Sequence, residues 1–153
     1  MNLNENVLKQ SRPVEILLVD DNPADVALTQ EAFLENKLFN NLNVVNDGVE
    51  AMDYLHKRGQ YASVPTPDII MLDLNLPRKD GREVLAEIKA DDGLKHIPVI
   101  ILTVSRDEKD ILESYRLHAN CYISKPVKFE DFAEIVRSLE NFWFSIVTHP
   151  SKK

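Results

Sequence analysis

The stretch Asp68-Ile69-Ile70-Met71-Leu72-Asp73-Leu74-Asn75-Leu76-Pro77 is an apolar run that carries one carboxylate, Asp73, to its far end and then breaks at a proline. A short run rich in Ile, Met and Leu, without alternation and followed by turn residues, is the pattern of a strand buried on both faces at the centre of a parallel sheet. Similar runs recur. Val14-Glu15-Ile16-Leu17-Leu18-Val19 ends in Asp20-Asp21, Pro98-Val99-Ile100-Ile101-Leu102 ends in Thr103, and Cys121-Tyr122-Ile123-Ser124 ends in Lys125-Pro126. In an open parallel sheet the strand carboxyl ends share one edge, so these polar residues are expected to converge there.

Helical patterns fill the intervals. Asn22-Pro23 reads as an N-cap with proline at the first helical position, and Ala24, Leu28 and Ala32 follow at i, i+4 spacing as a buried stripe. Leu42 to Asn46 reads as a second strand, Asp47-Gly48 as a turn, and Val49, Met52 and Leu55 as a helix ending at Gly59. After a turn from Pro77 to Gly81, Val84, Leu85 and Ile88 mark a helix that stops near Gly93. Asp107 and Glu108 open another that carries Ile111, Leu112 and Tyr115, and Phe129, Phe132, Ile135, Val136 and Leu139 trace the last. Five strands alternating with five helices define an α/β fold: a doubly wound five-stranded parallel sheet, with strand order 2-1-3-4-5.

At 153 residues, 44% hydrophobic and 28% charged, the chain is expected to form one domain over residues 14–141, after an arm (1–13) and before an extension (142–153). No apolar run approaches the roughly 20 residues of a membrane helix. A formal net charge of −7 argues against nucleic acid as the principal partner. The single cysteine, Cys121, has no internal disulfide partner, and no signal-peptide pattern follows Met1, so a reducing, cytoplasmic setting is expected.

With the first strand beside the third, Asp20, Asp21 and Asp73 fall within a few ångströms of one another. Two carboxylates 4 Å apart repel by about 4 kcal/mol at an effective dielectric of 20, so a cation is expected, and the all-oxygen donor set points to Mg²⁺. Lys125 offers a positive charge at the same edge and Thr103 a hydroxyl donor. Together they form a cradle for a phosphoryl group, with a carboxylate as its acceptor. Taken singly, each residue has a plainer reading: Asp20-Asp21 starts a helix, Asp73 caps a turn, Lys125 is solvated and Thr103 is an N-cap. Their convergence favours the cradle.

Asp20-Asp21, Asp73 to Pro77, Asp80-Gly81, Thr103, Tyr122 and Lys125-Pro126 resemble the receiver domain of two-component response regulators, from about Val14 to Leu139. The resemblance implies a flavodoxin-like receiver fold in which Asp73 accepts a phosphoryl group from a sensor histidine kinase. It implies that Asp20, Asp21, Asp73 and the Asn75 carbonyl organise Mg²⁺, and that Lys125 and Thr103 bind the phosphoryl group. It further implies a cis peptide at Pro126 and a switch made of Thr103 and Tyr122. Asp80 to Lys89, Leu117 to Tyr122 and Glu140 to Trp143 are similar to cyanobacterial response regulators that partner phytochrome, which implies a phytochrome kinase as donor. Val104 and His118 depart from the common pattern, where a smaller residue and a glycine are usual.

The alternative is a phosphatase of the haloacid-dehalogenase type, with Asp73 as nucleophile. Those enzymes place a second aspartate two residues on as general acid, where this chain has Asn75, which supplies no proton. Past Leu139, Phe142, Trp143 and Phe144 exceed what one buried stripe holds. They are therefore expected to form a homodimer interface through the last helix and the extension.

Overall fold

Five parallel strands, β1 (Val14–Val19), β2 (Asn40–Val45), β3 (Ile69–Asp73), β4 (Val99–Thr103) and β5 (Cys121–Ser124), lie in the order β2-β1-β3-β4-β5. The computed structural model describes residues 12–36, 38–103 and 121–138, without the side chains of Thr103 and Ser138. Four α-helices are described: α1 (Pro23–Leu34), α2 (Gly48–Leu55), α3 (Gly81–Ala90) and α4 (Phe129–Ser138). The helix expected from Asp107 onward, Val104, His118 and the extension with Phe142, Trp143 and Phe144 lie outside the described residues.

All five residues of β3 are buried, which is why its sequence does not alternate. Successive residues instead feed two cores. Leu17, Val19, Ile70, Leu72 and Ile101 pack with Met52, Leu55, Val84 and Ile88 on one face, where Tyr122 also rests. Ile16, Leu18, Ile69, Met71 and Ile100 pack with Phe33, Phe132 and Val136 on the other. Phe33 meets Phe132 edge-on at 4.8 Å and Phe129 at 5.7 Å, tying α1 to α4.

Register sets the site. Val19 pairs with Leu72, so Asp20 and Asp73 come next and lie level across β1 and β3. Thr103 pairs with Ser124, which puts Lys125 one residue beyond the same edge.

Some local expectations change. α1 turns its Thr29 and Phe33 to the sheet and leaves Leu28 about half exposed, so the buried stripe is not Ala24, Leu28 and Ala32. Phe33 supplies the larger apolar surface, and the same face carries Asp25 one turn before Thr29 toward the acidic edge. β2 starts at Asn40, two residues before the expected strand, because its parallel pairing with Val14 and Glu15 outweighs the weak strand preference of asparagine. The arm is held at its end: Arg12 makes paired bonds of 2.8 and 2.9 Å to Asp68.

Two glycines mark close backbone approaches. A Cβ on Gly48, the first residue of α2, would lie 2.0 Å from the Lys79 carbonyl oxygen, so Asp47 is a helix cap here and not half of a two-residue turn. A Cβ on Gly81 would lie 2.2 Å from the Asp73 carbonyl oxygen, and Gly81 N–H donates to Leu74 O at 2.9 Å. Gly81→Ala is expected to lose about 1–3 kcal/mol of stability, as overpacking does, because only backbone can give way. Urea unfolding beside wild type checks this, and an unchanged midpoint would show that the loop shifts freely.

Candidate functional site

The site is built at the carboxyl edge of β1, β3 and β5. Asp20 and Asp73 are carried there by strands whose every other demand is apolar, and both are buried. Asp73 is fixed by an Asx turn, its Oδ1 accepting the Asn75 N–H at 2.9 Å, while Asp20 Oδ1 accepts the Asn22 N–H at 3.0 Å. Asp21 is exposed. One oxygen from each of Asp20, Asp21 and Asp73 can lie within 4.8 Å of the others, which is the cluster the sequence anticipates.

Lys125 enters from the end of β5 with its side chain only 6% exposed. Its ammonium lies 2.6 Å from Asp73 Oδ2, 3.0 Å from Asp20 Oδ2 and 3.0 Å from Asp25 Oδ2. Burial alone would lower the Lys125 pKa, but its charged contacts with Asp73, Asp20 and Asp25 outweigh that and the group ends raised. Asp20 is pushed up by burial, against the pull of the Asn22 N–H and Lys125. The Lys125-Pro126 peptide is cis.

The residues present fit a cation. Asp20 Oδ2 is buried and accepts no aligned hydrogen bond, its contact with Lys125 being ionic only. An orphaned carboxylate oxygen among two further carboxylates has the chemistry of a hard divalent ion's ligand, as Mg²⁺ requires.

Asn75 is exposed beyond Asp73, at the start of a loop held from outside. Arg78 takes a left-handed backbone, φ +65°, and its guanidinium reaches Asp47 Oδ2 at 3.2 Å. With Gly48 packed on Lys79, this fastens the loop to the N-terminus of α2. Thr103 ends β4, but its side chain lies outside the described residues. Tyr122 is part-buried with the core on the α2 and α3 side of the sheet. Cys121 is part-buried and burial pushes its thiol up, which suits packing and not nucleophilic work.

Asp25 was not singled out by its sequence. An acid in the first turn of a helix has a sufficient explanation in the helix dipole. The signal available was its i+4 spacing from Asp21 and its place four residues before Thr29 on the buried face.

The class of protein follows from this edge. Residues 16–137 match the response regulator receiver domain, and the chain belongs to that family of two-component signalling proteins. It is similar to response regulator Rcp1 of Synechocystis sp., with 47% identity over 139 residues that cover 91% of this chain and 95% of that protein. The crystal structure of the phosphorylated cyanobacterial phytochrome response regulator RcpA shares 51% identity at a TM-score of 0.72, covering 87% of this chain and 95% of its own. The Mn(2+)-bound form of Rcp1 gives 0.71 at 47% identity, over 86% and 94% of the two chains. Among the described residues no helix is long and apolar enough to cross a membrane.

Proposed function

We propose that this receiver takes a phosphoryl group from the phosphohistidine of a sensor histidine kinase onto Asp73. The observation that carries the reading is a buried lysine held between Asp73 and Asp20, beside a third carboxylate from Asp21. Asp20, Asp21 and Asp73, with the Asn75 carbonyl, are the residues that would hold Mg²⁺. When bound, that ion supplies charge neutralisation on the transferred group.

In the transfer an Asp73 carboxylate oxygen bonds to phosphorus and the P–N bond to the donor histidine breaks, its electron pair leaving on the imidazole nitrogen. Lys125 pairs with Asp73 at rest and with a phosphoryl oxygen afterwards, and the Thr103 hydroxyl donates to another. The Tyr122 ring follows Thr103, and that movement is the signal read by a protein partner. The similarity to phytochrome response regulators favours a phytochrome kinase as donor. The aromatic extension favours a homodimer.

Incubation with Mg²⁺ and acetyl phosphate, followed by intact mass, tests the reading. One base-labile phosphoryl group per chain is expected, and none with excess chelator. Continuous release of phosphate without a stable adduct would instead indicate a phosphatase.

A further inference from the structure

The three carboxylates on Lys125 do not belong to one set. Asp20 and Asp73 are shared between the ammonium and the acidic cluster, Asp21 belongs to the cluster, and Asp25 meets the lysine without being part of it. At rest the Lys125 ammonium donates to Asp73 Oδ2 and Asp25 Oδ2, while its contact with Asp20 is ionic only.

That arrangement changes when a divalent ion takes oxygens of Asp20 and Asp73. An ammonium and a dication that share the same carboxylates repel each other, twice as strongly as two single charges at the same distance. The lysine must draw back, and Asp25 is the carboxylate it already contacts outside the cluster, at 3.0 Å. Its backbone is fixed at both ends: its N–H donates to Asn22 Oδ1 at 3.1 Å, and its carbonyl accepts the buried Thr29 hydroxyl at 3.0 Å. Its carboxylate sits in the first turn of α1, where the positive end of the helix dipole favours negative charge.

Resting on the receiver reading, we propose that Asp25 is a positioning residue that retains Lys125 at the site when the cation claims Asp20 and Asp73. By giving the displaced ammonium a partner, Asp25 eases cation entry. It also holds the lysine ready for the incoming phosphoryl oxygens. Without it, Lys125 stays on Asp20 and Asp73 and competes with the ion.

Calorimetric titration of metal-free protein with Mn²⁺ alone reads this out in four forms: wild type, Asp25→Asn, Lys125→Met and the double variant. Asp25→Asn is expected to weaken binding by about fivefold or more in the wild-type background and by less than twofold in the Lys125→Met background. Equal weakening in both backgrounds would make Asp25 a bulk negative charge and overturn the proposal, as would no weakening in either. Should Lys125→Met fail to fold, the ¹⁵N signal of the Lys125 ammonium decides. In Mg²⁺-saturated protein it should stay protected from exchange in wild type and be lost in Asp25→Asn, and equal protection in both overturns the proposal. Wild type that bound no Mn²⁺ would overturn the receiver reading with it, whereas normal wild-type binding unaffected by Asp25→Asn overturns the proposal alone.

Discussion

Asp73→Asn is expected to reduce phosphoryl uptake from a sensor histidine kinase to background while leaving the fold intact. The amide retains an oxygen to accept the Asn75 N–H, the bond that sets the side chain's direction, at 2.9 Å in the wild type. It lacks the anionic oxygen that must bond to phosphorus, and it contacts Lys125 as a neutral group. Within the acidic cluster no other carboxylate substitutes, because Asp20 is wholly buried and Asp21, though exposed, has no contact with Lys125, while Asp25 touches Lys125 but lies outside that cluster. Kinase labelling followed by gel autoradiography, with circular dichroism of both proteins, checks the claim. Wild-type labelling of the variant would move the acceptor elsewhere in the chain.

Lys125→Met is expected to have the largest effect on stability, and the effect should depend on divalent cation. The substitution leaves Asp20 and Asp73, with side chains 1% and 10% exposed, facing one another without the ammonium between them. Removing one partner of a buried ion pair costs about 3–5 kcal/mol, because the remaining charge stays desolvated. Mg²⁺ binding only the folded form at about 100 times its dissociation constant restores about 2.7 kcal/mol. The variant should therefore unfold at much lower urea in chelator and recover most of the loss in Mg²⁺. Wild type should gain less from the ion, since its ammonium opposes it. An equal deficit with and without Mg²⁺ would mean that Lys125 acts in packing and not in charge balance.

How much of this was legible in the sequence differs by element, for physical reasons. β1 and β3 are buried on both faces, so their apolar runs announce them, and the acids at their ends stand out against that background. β2 is an edge strand with Asn40, Asn41 and Asn43 in its six residues, and its start is set by pairing with β1 and not by its own preference. Asp47-Gly48 carries the signature of a tight turn, whereas the glycine is demanded by a carbonyl from a loop thirty-one residues further on, at Lys79. Asp25 was invisible for the same kind of reason. Its partner lies 100 residues away, and nothing local separates an acid that caps a dipole from one that holds a lysine. Local periodicity thus finds the strands and their ends, while contacts across the sheet edge decide which end groups act together.

The hydrogen bonds that complete the site span 52 residues, from Lys125 to Asp73, and 100 residues, from Lys125 to Asp25. A nascent chain is made from its N-terminus at about 5–20 residues per second, so the acid of β3 exists for roughly 3 to 10 s, and that of β1 for roughly twice as long, before the lysine that balances them. Over that interval they lack the ammonium that pairs with them in the folded chain. Addition of β5 to the sheet and arrival of that ammonium are therefore one event, late in synthesis. A chain interrupted before Lys125 carries Asp73 without its counter-charge, so the acidic edge is completed only once translation has passed that point.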